Sequence, residues 1–281
     1  MNTNHNEPTR SCFYYWFVEP LKSGYEDNGS LQPAFSIPVE TQFGKCELAL
    51  FCDSEGQPDF IRLKIPGFAG EDIQEFKQEH VELLQTVKEH LVSILRLTYD
   101  SETEIARYAM WAFPEDGKQY SYGISIQELQ GQRPAFPAVA VRNAFVGTWD
   151  KRTEIKLLTD ALDKKIPLQY RYLSLYKILE NHFKKHGKWL NDELDAFLSQ
   201  FSVEFNKMSI QLSLVQYLHA LRDKCAHIRT GKDILGVTQL SLGQAAEVGR
   251  FIPFFRNVCI VLLNSISDGK FTLKLLSEKH E

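Results

Sequence analysis

The chain of 281 residues is 43% hydrophobic and 12% aromatic, enough apolar side chain to bury a proper core and, at this length, to form two domains. That composition argues against wholesale disorder, and five scattered cysteines with no C-x-x-C pair argue against a disulfide framework or a zinc ribbon. The formal net charge of -4 conceals a split: residues 1–150 hold 12 Lys+Arg against 22 Asp+Glu, a net of -10, while residues 151–281 hold 20 against 14, a net of +6.

Residues 1–10 are polar and lack the apolar stretch of a secretory signal. The aromatic run from Cys12 to Val18 and the segments Glu47 to Phe51 and Ile61 to Ile65 read as strands, the last alternating Ile61, Leu63 and Ile65 with Arg62 and Lys64. Loop signals separate them at Glu26-Asp27-Asn28-Gly29 and Asp53-Ser54-Glu55-Gly56. A long amphipathic helix follows from Gly70 to Leu97, with Ile73, Phe76, Leu84, Val87, Leu91 and Ile94 in one stripe and acidic residues over the rest. It should pack on a sheet. Strand character returns at Ala106 to Phe113 and Tyr120 to Ile126, about a turn at Asp116-Gly117. Residues 1–147 are therefore expected to form a mixed domain with an antiparallel sheet and one long helix. Its acidity disfavours nucleic acid, and it holds no Walker loop, dinucleotide fingerprint, G-x-S-x-G elbow or H-E-x-x-H, which leaves sensing a signal or binding a protein partner.

A boundary is expected near Gly147-Thr148-Trp149-Asp150, after the Pro-containing stretch 133–137. Beyond it, helical spacing runs through Leu168, Tyr172, Leu175, Leu179 and Phe183, and again from Ile210 to His227 through Leu212, Val215, Leu218 and Leu221. A helix from Asn191 to Phe201 opens on acidic residues, and one from Leu242 to Ile266 is rich in Phe, Val, Ile and Leu. Residues 151–281 are thus expected to be an all-helical bundle, and the whole chain α+β. Its most apolar run, Phe251 to Leu263, is too short to cross a bilayer and contains Arg256 and Asn257, so the expectation is a cytoplasmic protein without membrane contact.

The strongest chemical signal is Arg222-Asp223-x-x-x-His227, at the end of one predicted helix. It places one permanent cation near one group that titrates close to neutrality. Such a pair suits attack at a phosphodiester: Arg neutralises a non-bridging oxygen while imidazole moves the proton of a ribose 2'-hydroxyl or of the leaving 5'-oxygen. No metal or other cofactor is required. The same positions also suit a surface ion pair and a helix-capping group. Cys225 lies inside the motif, where positive charge could lower its pKa and make a Cys/His nucleophile pair, although two residues apart on a helix diverge by about 200°.

Arg222, Asp223 and His227, with Ala226 before the His and the basic loop Ile228-Arg229-Thr230-Gly231-Lys232 after it, resemble the HEPN superfamily (higher eukaryotes and prokaryotes nucleotide-binding). The resemblance covers at most residues 151–281, and its motif six of them. It implies a helical bundle that pairs into a homodimer with two Arg/His sets facing across a cleft. Many such domains are metal-independent endoribonucleases of stress or phage-defence systems, while others bind nucleotides or serve as non-catalytic scaffolds. On that reading RNA is the partner, His227 is the general acid/base, Arg222 stabilises the phosphate, and Asp223 orients them; the alternative for Asp223 is a solvated pair with Lys224 or Arg229.

Lys224, Arg229 and Lys232 around the motif, and Lys184 and Lys185 earlier in the chain, are the candidate contacts to the strand, or else ordinary solvated faces. Glu180 can orient His227 or Arg222, or pair with Lys177 or Lys184. His182 and His186 are four apart on the predicted helix, but no third ligand is marked beside them, so a basic helix end is favoured over a metal site. His219 is expected to pack or make a hydrogen bond.

Overall fold

The computed structural model describes residues 10–19, 21, 25–26, 31–70, 72–99, 103–114, 121–122, 134–226 and 240–267. The chain divides into two compact units, 1–146 and 147–281. Asp27, Asn28 and Gly29 of the expected turn that begins at Glu26, the turn at Asp116-Gly117, and all but two residues of the expected strand from Tyr120 to Ile126 lie outside the described residues.

The first unit runs β1 (Arg10–Val18), β2 (Tyr25–Glu26), β3 (Phe35–Thr41), β4 (Gly44–Cys52), β5 (Pro58–Phe68), α1 (Ile73–Thr98), β6 (Ile105–Ala112), β7 (Ser121–Tyr122) and α2 (Ala138–Gly147). Five strands form an antiparallel sheet in the order β3-β4-β5-β1-β6, and β2 pairs with β7 in a separate two-residue ladder. From Cys12 to Val18, strand β1 is a continuous run of apolar and aromatic residues because both of its faces are covered. Tyr14 stacks on Phe76 of α1, whereas Tyr15 and Phe17, on the opposite face, join Ala49, Phe51 and Phe60 in a second core. The six-residue stripe expected of α1 is entirely buried. His90 is buried beside it, and its Nε2–H donates to the Phe145 carbonyl at 3.0 Å, tying α2 to α1.

Strand β3 was not expected. Its alternation is clean, with Phe35, Ile37 and Val39 buried and Ser36, Pro38 and Glu40 exposed. Pro38 is tolerated because β3 is an edge strand and needs no donor on its open side. The expected turn between β4 and β5 is present: Asp53 Oδ1 accepts from the backbone N–H groups of Glu55 and Gln57, and Gly56 takes φ +77.

The second unit contains α3 (Arg152–Leu162), α4 (Leu168–Phe183), the hairpin β8 (Lys184–Lys185) and β9 (Lys188–Trp189), α5 (Asn191–Leu198), α6 (Ser202–Asn206), α7 (Leu214–Ala226) and α8 (Leu242–Ser265). Helix α4 is central and packs against α3, α7 and α8. Its buried positions include Tyr172, Leu175, Leu179 and Phe183, as the helical spacing requires. Tyr172 is fully buried, donates its hydroxyl to the Leu218 carbonyl at 2.7 Å, and lies against Phe251 and Phe255.

Three expectations are revised. Helix α7 starts at Leu214 rather than Ile210, because Ser213 and Gln216 exchange side-chain-to-backbone bonds in a capping box. Leu212 therefore precedes the helix and is exposed, and the buried stripe is Leu214, Tyr217, Leu218, Leu221 and Cys225. The helix from Asn191 ends at Leu198 and continues to Phe201 as a tighter 3-10 turn. His182 and His186 do not share a helix: α4 stops at Phe183, and His186 and Gly187 form the hairpin tip with φ of +49 and +79.

Helix α8 opens with a second capping box, Ser241 with Gln244. Ser241→Ala is expected to cost about 1 kcal/mol, read as a lower urea midpoint at unchanged slope. Among the described residues, no helix is long and apolar enough to cross a membrane.

Candidate functional site

Helix α7 carries three kinds of surface. Its apolar stripe faces the core. Lys224 reaches Glu247 of α8, with Nζ 3.0 and 2.8 Å from the two carboxylate oxygens, and Tyr217 donates to the same carboxylate at 3.2 Å. His219, Arg222 and Asp223, spaced i, i+3 and i+4, share a third side. There His219 meets Tyr176 of α4 and Trp189 of β9, and Arg222, Asp223 and Glu180, the last one turn beyond Tyr176 on α4, lie within electrostatic reach of both His219 and Tyr176.

The Tyr176 hydroxyl and His219 Nδ1 are 2.6 Å apart. The Trp189 ring stands edge-on to both, with centroids 5.6 Å from Tyr176 and 5.0 Å from His219. Arg222 Nη1 donates to Asp223 Oδ1 at 3.1 Å; the Arg side chain is 34% exposed and the Asp 67%. Glu180 accepts from Lys184 at 2.9 Å and from Lys177 at 3.2 Å. Lys184 Nζ also lies 5.7 Å from the centroid of the Trp189 ring.

Electrostatics follow from this half-buried setting. Burial pushes the Tyr176 hydroxyl upward, Glu180 and Asp223 add to that, and Arg222 opposes it, so the phenol stays protonated. Burial lowers the His219 pKa; Arg222 and Lys184 act in the same direction, Asp223 and Glu180 against it. Burial would raise the Glu180 carboxyl, but the bonds from Lys184 and Lys177 outweigh it and hold the group below its ordinary value. His182 is also lowered, by burial first, with Glu154 opposing and Lys151 assisting.

Both histidines therefore bind protons more readily unfolded than folded. Their stabilising contribution is present above the unfolded value of about 6.5 and is lost as pH falls through the lower folded values. The urea midpoint of the helical unit is expected to fall as pH drops below about 6.5, and His182→Gln combined with His219→Gln should flatten that decline.

The expected site residues are only partly gathered. Arg222, Asp223, Glu180 and Lys184 converge, and Arg222 finds its carboxylate in Asp223. Glu180 pairs with both Lys177 and Lys184. Lys224 points to α8, and Lys185 is exposed on the hairpin. His227, Arg229 and Lys232 lie outside the described residues. His219 makes the hydrogen bond expected of it, but with a tyrosine beside the Arg. Its i, i+3, i+4 relation to Arg222 and Asp223 was the available signal for placing it here; Tyr176 and Trp189 had none.

Cys225 is buried, and burial with the nearby Glu247 carboxylate, against Lys224, pushes its thiol up to about 12. The Cys/His nucleophile alternative loses its thiolate on that ground. In native protein at pH 8, iodoacetamide is expected to label the half-buried Cys52 and spare Cys225, as read by peptide mass mapping. Among the described residues, no group of three or more His, Cys, Asp or Glu side chains is arranged to hold a metal.

Comparison of the chain with protein-family models, with curated proteins and with solved structures returned no match.

Proposed function

We propose that this chain is a metal-independent endoribonuclease of the HEPN type, acting in the cytoplasm as a homodimer through its helical unit, in a stress or phage-defence role. The observation that carries the reading is the position of Arg222: near the C-terminal end of α7, guanidinium part-exposed, its carboxylate partner adjacent, and the motif His five residues further along the sequence. Arg222 neutralises a non-bridging phosphate oxygen, Asp223 holds the guanidinium in place, and His227 transfers the proton to or from the ribose and leaving-group oxygens. The acidic first unit recognises a protein partner or a signal.

A second reading, a non-catalytic dimerisation or nucleotide-binding scaffold, is favoured by one specific feature. Lys224 and Lys184, two of the cations assigned to the strand, already have carboxylate partners in Glu247 and Glu180. Incubation with mixed RNA in EDTA separates the two. The nuclease leaves 2',3'-cyclic phosphate ends, and His227→Ala abolishes them; cleavage that survives that substitution refutes the assignment, and no cleavage by the wild type selects the scaffold.

A further inference from the structure

Cleavage by the route proposed above moves two protons, one off the attacking 2'-oxygen and one onto the leaving 5'-oxygen, and so asks for a base and an acid. The helical unit holds an imidazole in the setting a base requires. His219 Nδ1 lies 2.6 Å from the Tyr176 hydroxyl, and the Trp189 ring stands edge-on to the imidazole at 5.0 Å between centroids, so the ring is fixed from two sides. Nε2 has no hydrogen-bond partner among the described residues and, unlike the buried Nε2 of His182, is not closed off from solvent. Arg222 follows one turn later on the same side of α7, with its guanidinium part-exposed. An imidazole oriented through one nitrogen and open at the other, with a cation beside it, can serve as a general base at a phosphodiester.

We infer that His219 is the general base of that cleavage, taking the 2'-hydroxyl proton on Nε2 beside the Arg222 guanidinium, and that Tyr176 is its positioning residue. The inference rests on the endoribonuclease reading. In the step itself the 2'-oxygen bonds to phosphorus as its proton passes to Nε2. The bond from phosphorus to the 5'-oxygen breaks as that oxygen takes a proton from the acid, which the reading leaves to His227. Nδ1–H donates to the Tyr176 oxygen before and after the transfer. Five groups set the charge on His219: Arg222 and Asp223 on its own helix, Tyr176 and Glu180 on α4, and Lys184 on the hairpin. Burial and the two cations favour the neutral ring over the opposing carboxylates, and the neutral ring is the form a base needs.

The test follows cleavage by the full chain in EDTA across about pH 5 to 9, on unmodified RNA and on RNA with sulfur in place of the scissile 5'-oxygen, since a thiolate leaves without an acid's help. Wild-type kcat/KM is expected to fall on the acid side with a midpoint below about 6.5, as His219 gains its proton. His219→Gln should lower kcat about 10²-fold, lose that acid limb and stay slow on the sulfur substrate, whereas His227→Ala should regain rate on it. Tyr176→Phe deletes only the hydroxyl and should lower kcat about tenfold at unchanged KM. It should also move the acid limb to lower pH, because imidazolium donates to the phenol oxygen more strongly than the neutral ring does. All variants are compared at matched folded fraction. A wild-type rate flat from about pH 5 to 7 overturns the base assignment, as does a folded His219→Gln variant with the wild-type acid limb or one that recovers on the sulfur substrate. Wild-type kcat and acid limb in Tyr176→Phe remove the positioning role. In each of these cases cutting that needs His227 leaves the nuclease standing, whereas no cutting by the wild type overturns both.

Discussion

Phe251→Ala is expected to destabilise the helical unit by about 3–5 kcal/mol, the range for removing a buried aromatic side chain without full collapse of the cavity. Phe251 is fully buried at the meeting point of four elements. Its ring centroid lies 5.0 Å from that of Tyr217 on α7, 6.4 Å from Phe205 on α6 and 6.4 Å from Tyr172 on α4, with Phe254 and Phe255 of α8 at 5.4 and 5.8 Å. These neighbours come from different helices, so no single one can move in without abandoning its own packing. Phe251→Leu keeps more of the volume and should cost distinctly less. Urea denaturation supplies the magnitude, and hydrogen exchange at α4, α7 and α8 shows where the loss falls. A Phe251→Ala variant within about 1 kcal/mol of the wild type would contradict this core.

Arg222→Ala should have the largest effect on activity, lowering RNA cleavage by about 10²–10³-fold, the usual cost of deleting a donor that stabilises charge developing in a transition state. The effect on stability should stay within about 1 kcal/mol, because the pair with Asp223 is solvent-facing and such pairs contribute little. Arg222→Lys is expected to recover only part of the rate, since an ammonium keeps the charge but loses the planar fork of donors. Equal cleavage by wild type and Arg222→Ala would remove Arg222 from the chemistry. A loss of cleavage that merely tracks unfolding would remove the result from consideration as a functional effect, so both variants are compared at matched folded fraction.

Several elements were legible in the residues alone because the periodicity that reports them also determines burial. The α1 stripe and the limits of α4 follow from helical spacing over long segments, where a single misplaced apolar residue changes little. Start points were less legible. Leu212 matches the spacing of α7, yet the Ser213/Gln216 exchange of hydrogen bonds begins the helix after it, and only the backbone geometry distinguishes that capping box from two ordinary polar residues. Strand β3 shows the right alternation, but Pro38 argues against a strand until its edge position is known.

The candidate site divides in the same way. Residue types and local order are properties of the chain by itself, so sequence determined the acidic first half, the basic helical second half, the long amphipathic helix, and the nearness of Arg222 to Asp223. Tertiary structure alone decided that Tyr176, 43 positions before His219, would pin its imidazole, that Glu247 would occupy Lys224, and that Cys225 would face the core as an inert thiol. Those outcomes depend on which faces of α4, α7 and α8 meet. Helix packing sets that meeting through side-chain volumes contributed by distant segments, and no local spacing contains it.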